Sequence, residues 1–144
     1  MGFFYISDEV AIEGVDGGDV ALVVADGEID YAASPQLNAR IARHVDAGRR
    51  RLVLDLSTVT FIDSTAIGVL VAVVTGLRES GGGSLAVVCA EENDRVLRIF
   101  DIAGVASVLA LYRSAVEALL ALATVRPSDV ASWMEQMPRS TAQR

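Results

Sequence analysis

Apolar and polar positions along the chain switch between strand and helix periodicity several times. Residues 3–6 and 10–15 read as strand material, Asp16, Gly17 and Gly18 supply hairpin chemistry, and residues 20–25 return as a further strand. After Gly27, Glu28, Ile29 and Asp30, a helix opens with Ser34 as cap and Pro35 in its first turn, carries Leu37, Ile41 and Val45 at helical spacing, and ends near Gly48. Residues 52–56 form an apolar run broken only by Asp55, as expected of a central strand covered on both faces, and Ser57 and Thr58 end it. Residues 59–62 carry the chain into Asp63, Ser64 and Thr65 and then into an almost wholly apolar stretch reaching Glu79. Its valines and isoleucines favour a strand intrinsically, but its length, its caps and the glycines at 81–83 argue for a helix. Residues 85–89 are a fourth strand; Asn93 opens a helix with Val96, Ile99, Phe100 and Ala103 on one stripe, closed by Gly104. Residues 108–111 make a short fifth strand, and Ser114 with Glu117 forms a capping box for a helix reaching about Ala123.

Strands alternating with helices after an initial hairpin indicate an α/β fold: a mixed β-sheet with about four helices packed against it and right-handed parallel crossovers. Residues 1–124 complete that pattern as one domain. Residues 125–144 lie outside it, with Val130, Trp133, Met134 and Met137 at helical spacing after Pro127 and Ser128. They form either a short amphipathic docking helix or a frayed tail, and the domain should fold without them. Residues 66–77 hold more apolar side chains than one face against a sheet can bury, so their helix should present an exposed apolar strip.

Composition removes several function classes. A formal charge of -7 and a pI of about 4.6 argue against a nucleic-acid backbone as direct partner, and the one basic run, Arg49, Arg50 and Arg51, reads as a solvated turn between helix and strand. The sequence contains no lysine. A Walker A loop and a Schiff-base enzyme both require one, so Gly81, Gly82, Gly83 and Ser84 are a helix C-cap and turn and not a nucleotide loop. Cys89, the single cysteine, permits no internal disulfide and fits a buried strand thiol in a reduced cytoplasmic setting. His44, the single histidine, flanks its helix and is not placed as a general base. No signal peptide, membrane insertion, metal site or cofactor is called for, and no Ser-His-Asp arrangement appears at credible spacing.

The candidate chemistry lies at the start of the apolar helix. Either Asp63 or Ser64 can cap its orphan amides, which puts a serine hydroxyl at the positive end of a helix dipole, where a phosphate is accommodated.

Gly27 to Asp30, the segment FIDSTAIGVL at 61–70 and the segment VLRIFDIAGV at 96–105 stand in an order and spacing that resemble the STAS-domain anti-sigma factor antagonists of bacteria, over roughly residues 10–123. The resemblance implies a STAS-like fold and a partner-switching regulator that is not itself an enzyme. The unmodified protein would bind an anti-sigma factor of the serine kinase type and free a sigma factor; phosphorylation by that partner would end the binding, and a phosphatase would reset it. Carried over residue by residue, the phosphorylated serine is Ser64, preceded by Asp63, and the acidic residue after the second strand is Asp30. The partner-facing surface comprises Asp30, Asp63, Ser64, Thr65, Ala66 and Ile67. Ala66 stands where the commonest family pattern has glycine; alanine is the better helix former. The alternative reading is a STAS protein without a phosphorylation cycle, either a transporter-associated subunit or a module binding a nucleotide or lipid-like ligand.

Overall fold

A computed structural model describes residues 3–13 and 19–122, together with Ala131 and Glu135. The expected hairpin turn at residues 16–18 and the apolar positions of residues 125–144 lie outside the described residues. Among the described residues nine elements follow one another: β1 (Phe4–Glu13), β2 (Asp19–Ile29), α1 (Ser34–Asp46), β3 (Arg51–Ile62), α2 (Ser64–Glu79), β4 (Ser84–Val88), α3 (Asp94–Ala103), β5 (Ala110–Tyr112) and α4 (Ala115–Ala121).

The five strands lie side by side in chain order, β1 antiparallel to β2 and all later pairs parallel. Each crossover therefore steps the same way across the sheet, and right-handed crossovers stepping one way place their helices on one face. Leu37 and Ile41 of α1, Leu70 and Val74 of α2, and Val96 and Phe100 of α3 accordingly share one core with Ala21, Val23, Leu52, Leu54, Leu56, Leu85 and Val87. The alternate strand residues Val20, Leu22, Val24, Val53, Ala86 and Val88 form a second core on the opposite face, joined by Ala115, Ala118 and Leu119 of α4. Strands with both faces covered read as nearly continuous apolar runs, which is why β2, β3 and β4 stand out in the sequence.

Several elements differ from the expectation. The two apolar segments before residue 13 are one strand: a register irregularity between Ile6 and Asp8 turns the strand over, so that Phe4 and Ile6 pack on the helix-side core while Val10 and Ile12 pack on the other. β2 runs on to Ile29 and β3 to Ile62. Polar residues do not end β3 because they bond within the sheet. Asp55 is buried and accepts the Ser57 N–H at 2.9 Å, while the Thr58 and Thr60 hydroxyls donate to the carbonyls of Ala25 (3.1 Å) and Gly27 (3.3 Å) on β2. The fifth strand starts two residues later than expected and ends one later, at Ala110–Tyr112.

The caps also depart from sequence expectation. Ala33 occupies the N-cap of α1 and offers no side-chain bond; the Ser34 hydroxyl donates to the Asp30 carbonyl at 2.9 Å instead. Asn93 stands at the N-cap of α3 as expected, but its side chain makes no cap bond. Its amide donates to the carbonyls of Val59 (2.7 Å), Leu56 (3.2 Å) and Ser57 (3.4 Å), clamping the irregular part of β3. At α4 the Ser114 hydroxyl accepts the Glu117 N–H at 3.1 Å, and the Glu117 carboxylate returns to the Arg113 N–H at 3.2 Å. Gly104 closes α3 at φ 72° as expected.

The arginine run is not a free turn. Arg49 approaches Asp19 at 3.7 Å and donates to His44 Nδ1 at 3.1 Å, and Arg50 binds the Ser80 hydroxyl at 3.1 Å at the end of α2. His44 is buried, its Nε2 2.6 Å from Glu9, which also holds Arg40 at 3.1 Å. An arginine can only donate, so Nδ1 is the acceptor and the ring hydrogen sits on Nε2 facing Glu9. The histidine thus ties α1 to β1, a role its position in the sequence did not disclose. No described helix is long and apolar enough to cross a membrane.

Candidate functional site

The site is built where β2 and β3 finish side by side. Ile29 and Ile62 are register partners, and the Asp63 N–H donates to the Ile29 carbonyl at 3.1 Å, so Asp30 and Asp63 leave the sheet from adjacent strand ends. In parallel sheets this carboxyl end is where helix N-termini and loops gather. Asp30 folds back on its own turn: Oδ1 accepts the N–H groups of Ala32 (3.1 Å) and Ala33 (2.9 Å), while its carbonyl accepts those of Ala33 and Ser34. That turn starts α1, and one carboxylate oxygen of Asp30 is committed to it.

At α2 the capping question has a definite answer. Asp63 has extended backbone (φ -99°, ψ 177°), and its Oδ1 accepts the Ala66 N–H at 2.9 Å. Ser64 is therefore the first helical residue, and its exposed side chain is not engaged in the cap. An exposed hydroxyl at the first residue of a 16-residue helix lies within the positive end of the dipole, beside a carboxylate already bonded to the backbone.

Of the six residues expected to face a partner, Asp30, Asp63, Ser64 and Thr65 present side chains to solvent, wholly or in part. Ala66 and Ile67 do not: they are 0% and 6% exposed and begin the inner stripe that Leu70, Val74 and Leu77 continue. Helix geometry dictates this, because two residues beyond the exposed Ser64 and Thr65 the side chains swing toward the sheet. The exposed apolar strip of α2 is shallow. Gly68, Ala72 and Gly76 are its outward positions, and Val69, Val71 and Val73 are half-buried at its flanks. An alanine at 66 fills core space and does not alter the outer surface.

Two further features of this end of the sheet lie outside the expected set. Gly27 has φ +94°, and a Cβ there would stand 2.0 Å from the Phe3 carbonyl oxygen, so only glycine lets β1 close over β2. The Tyr5 hydroxyl donates to Asp26 at 2.9 Å, and that bond, then the carboxylate's charge, raises the phenol above its ordinary pKa. Glycine 27 was legible within its motif; its close approach to Phe3 depends on strand pairing and carries no local signal. No group of three or more His, Cys, Asp and Glu side chains among the described residues could hold a metal ion.

Residues 11–118 match the family model described as STAS domain. BtrV of Bordetella bronchiseptica, named as an anti-sigma factor antagonist, is 31% identical over 119 residues, which is 83% of this chain and 98% of BtrV. The crystal structure of an anti-sigma factor antagonist from Mycobacterium paratuberculosis superposes with a TM-score of 0.61 at 27% identity, over 84% of this chain and 93% of that one. The Bacillus cell fate determinant SpoIIAA, solved in its phosphorylated form, shares the fold at a TM-score of 0.55 and 18% identity, over 83% of this chain and 99% of its own.

Proposed function

The chain belongs to the STAS domain family and, within it, to the anti-sigma factor antagonists, and we propose on that premise that its unphosphorylated form binds an anti-sigma factor of the serine kinase type, releasing a sigma factor, and that phosphorylation of Ser64 ends the binding. The observation that carries this reading is the division of labour at the start of α2: Asp63 caps the helix, leaving the Ser64 hydroxyl exposed and without a structural task. The chain would be a kinase's substrate and not a catalyst, and a phosphatase would restore it within a cytoplasmic cycle.

The switch follows from charge. A phosphoserine adds about -1.5 to -2 charges at pH 7. It would arise beside Asp63 and at the strand end next to Asp30, and the helix dipole offsets only about 0.3 to 1 kcal/mol of the repulsion. On a solvated surface the fold tolerates that. A partner pressed against the same surface must desolvate the new charges, and a loss of about 1.4 kcal/mol already lowers affinity tenfold.

The test is a binding titration with the cognate anti-sigma factor, followed by incubation with ATP and mass spectrometry of the product. Ser64→Ala should bind and take no phosphate, and Ser64→Asp should bind at least about tenfold more weakly than wild type. Labelling at another residue, or equal affinities for wild type and Ser64→Asp, refutes the assignment of Ser64.

A further inference from the structure

A cleft of about 370 Å3 lies between the edge strand β1 and the last turn of α1, lined by Glu9, Val10, Ala11, Arg43, His44 and Arg49. Glu9 pairs with Val23, and Val23 with Leu54. At about 3.3 Å per residue along β3, the cleft stands on the order of 25 Å from Ser64, toward the other end of the sheet.

Glu9 is engaged at both oxygens: one takes Arg40 at 3.1 Å and the other the His44 Nε2 hydrogen at 2.6 Å. His44 Nδ1 in turn accepts from Arg49 Nη1 at 3.1 Å. This chain of bonds runs from α1 through β1 to the turn before β3, and it fixes the guanidinium of Arg49 from behind. That guanidinium is nonetheless short of acceptors. Its Nε is buried without a hydrogen-bond partner, Asp19 stays 3.7 Å away, and Nη2 makes no hydrogen bond among the described residues. Arg43, exposed on the last turn of α1, makes no ion pair or side-chain hydrogen bond among them either. Two arginines with unengaged donors therefore meet in one cleft whose carboxylate is already neutralised. The helix end opposes an anion only weakly, because the carbonyls of Arg43, His44 and Val45 accept the N–H groups of Ala47, Arg49 and Gly48.

We propose that this cleft binds a tetrahedral oxyanion of the phosphate class, held between the guanidinium groups of Arg43 and Arg49. Planar guanidinium forks match the paired oxygens of a phosphate, and two forks from different elements can hold more than one edge of it. The charge around the cleft agrees. Arg40, Arg43 and Arg49 outnumber Glu9 and the more distant Asp19, in a chain whose net charge is -7. The size of the cleft admits two sources of the group: free orthophosphate, or the terminal group of a small phosphate ester whose organic part lies along Val10 and Ala11. The site does not rest on the function proposed above, and its occupant does not compete for the Ser64 surface.

The test is titration of the 15N-labelled full chain with sodium phosphate at constant ionic strength and pH, repeated with phenyl phosphate and with sodium chloride. Phosphate should shift the amides of residues 9–11, 43–44 and 49 and saturate below about 10 mM, and chloride should not. Arg43→Gln and Arg49→Gln should each weaken binding at least about fivefold, and Arg43→Lys about threefold, because an ammonium lacks the fork. Arg43 makes no other side-chain bond among the described residues, so Arg43→Gln should leave the fold intact, which the same spectra report. Tighter binding of phenyl phosphate identifies an ester as the occupant, and equal or weaker binding identifies free phosphate. The site is overturned by the absence of a saturable shift, by shifts that spread equally to Arg95, Arg98 and Arg113, by equal affinities for wild type and Arg43→Gln, or by the same shifts with chloride.

Discussion

Asp63 and Ser64 are neighbours with opposite duties, and stability measurements can tell them apart. Asp63 accepts the Ala66 N–H, so Asp63→Ala should lower the unfolding free energy by about 0.5 to 2 kcal/mol in urea titrations. Ser64→Ala should change it by less than about 0.5 kcal/mol, because an exposed side chain outside the cap is removed. From the residues alone either could cap, since both types do so well; the backbone angle at 63 decides. Cys89 supplies a second prediction at this scale. Burial, then the charge of Asp55, pushes the thiol from 9.0 up to about 11. The fold thus holds the proton more tightly than the unfolded chain does. The contribution is fully present below about pH 9 and is lost as pH rises toward 11. The stability difference between wild type and Cys89→Ala should shrink over that window, and the folded thiol should react slowly with Ellman's reagent at pH 8.

At the scale of elements, the balance of local and tertiary forces is clearest in β1 and α2. Gly27 carries φ +94° and admits no Cβ beneath the Phe3 carbonyl, so Gly27→Ala should destabilise the protein by more than about 2 kcal/mol and unpair the start of β1. Gly76 is the control. It lies on the outer side of α2 with nothing within 4 Å of an added Cβ, and Gly76→Ala should stabilise by about 0.5 to 1 kcal/mol. Urea denaturation checks both, and amide exchange shows whether the loss at Gly27 begins in β1. α2 itself was legible despite its β-branched residues because its length and breakers outweighed its propensity. The full length of β3 was not, since Thr58 and Thr60 look like loop residues until β2 offers them carbonyls.

For the whole molecule, the relevant quantity is the placement of charge. A net charge of -7 is spread over the chain, but Asp26, Glu28, Asp30 and Asp63 converge on the end of the sheet that carries Ser64. Association with a partner there should be steered by charge. Its rate constant should fall several-fold as salt rises from about 50 mM to about 500 mM, with a smaller change in dissociation, measurable by stopped-flow. A salt-independent association rate would place the contact elsewhere on the surface.

The order and type of the elements, the mixed α/β sheet and the location of the candidate site at Asp63 and Ser64 follow from the sequence by itself, because apolar periodicity, glycine breakers and capping residues are local signals with local causes. Burial of Ala66 and Ile67, the work of Asn93 and His44, and the clasp of Phe3 over Gly27 were decided only by tertiary structure. Each depends on what a distant strand or helix presents to that side chain.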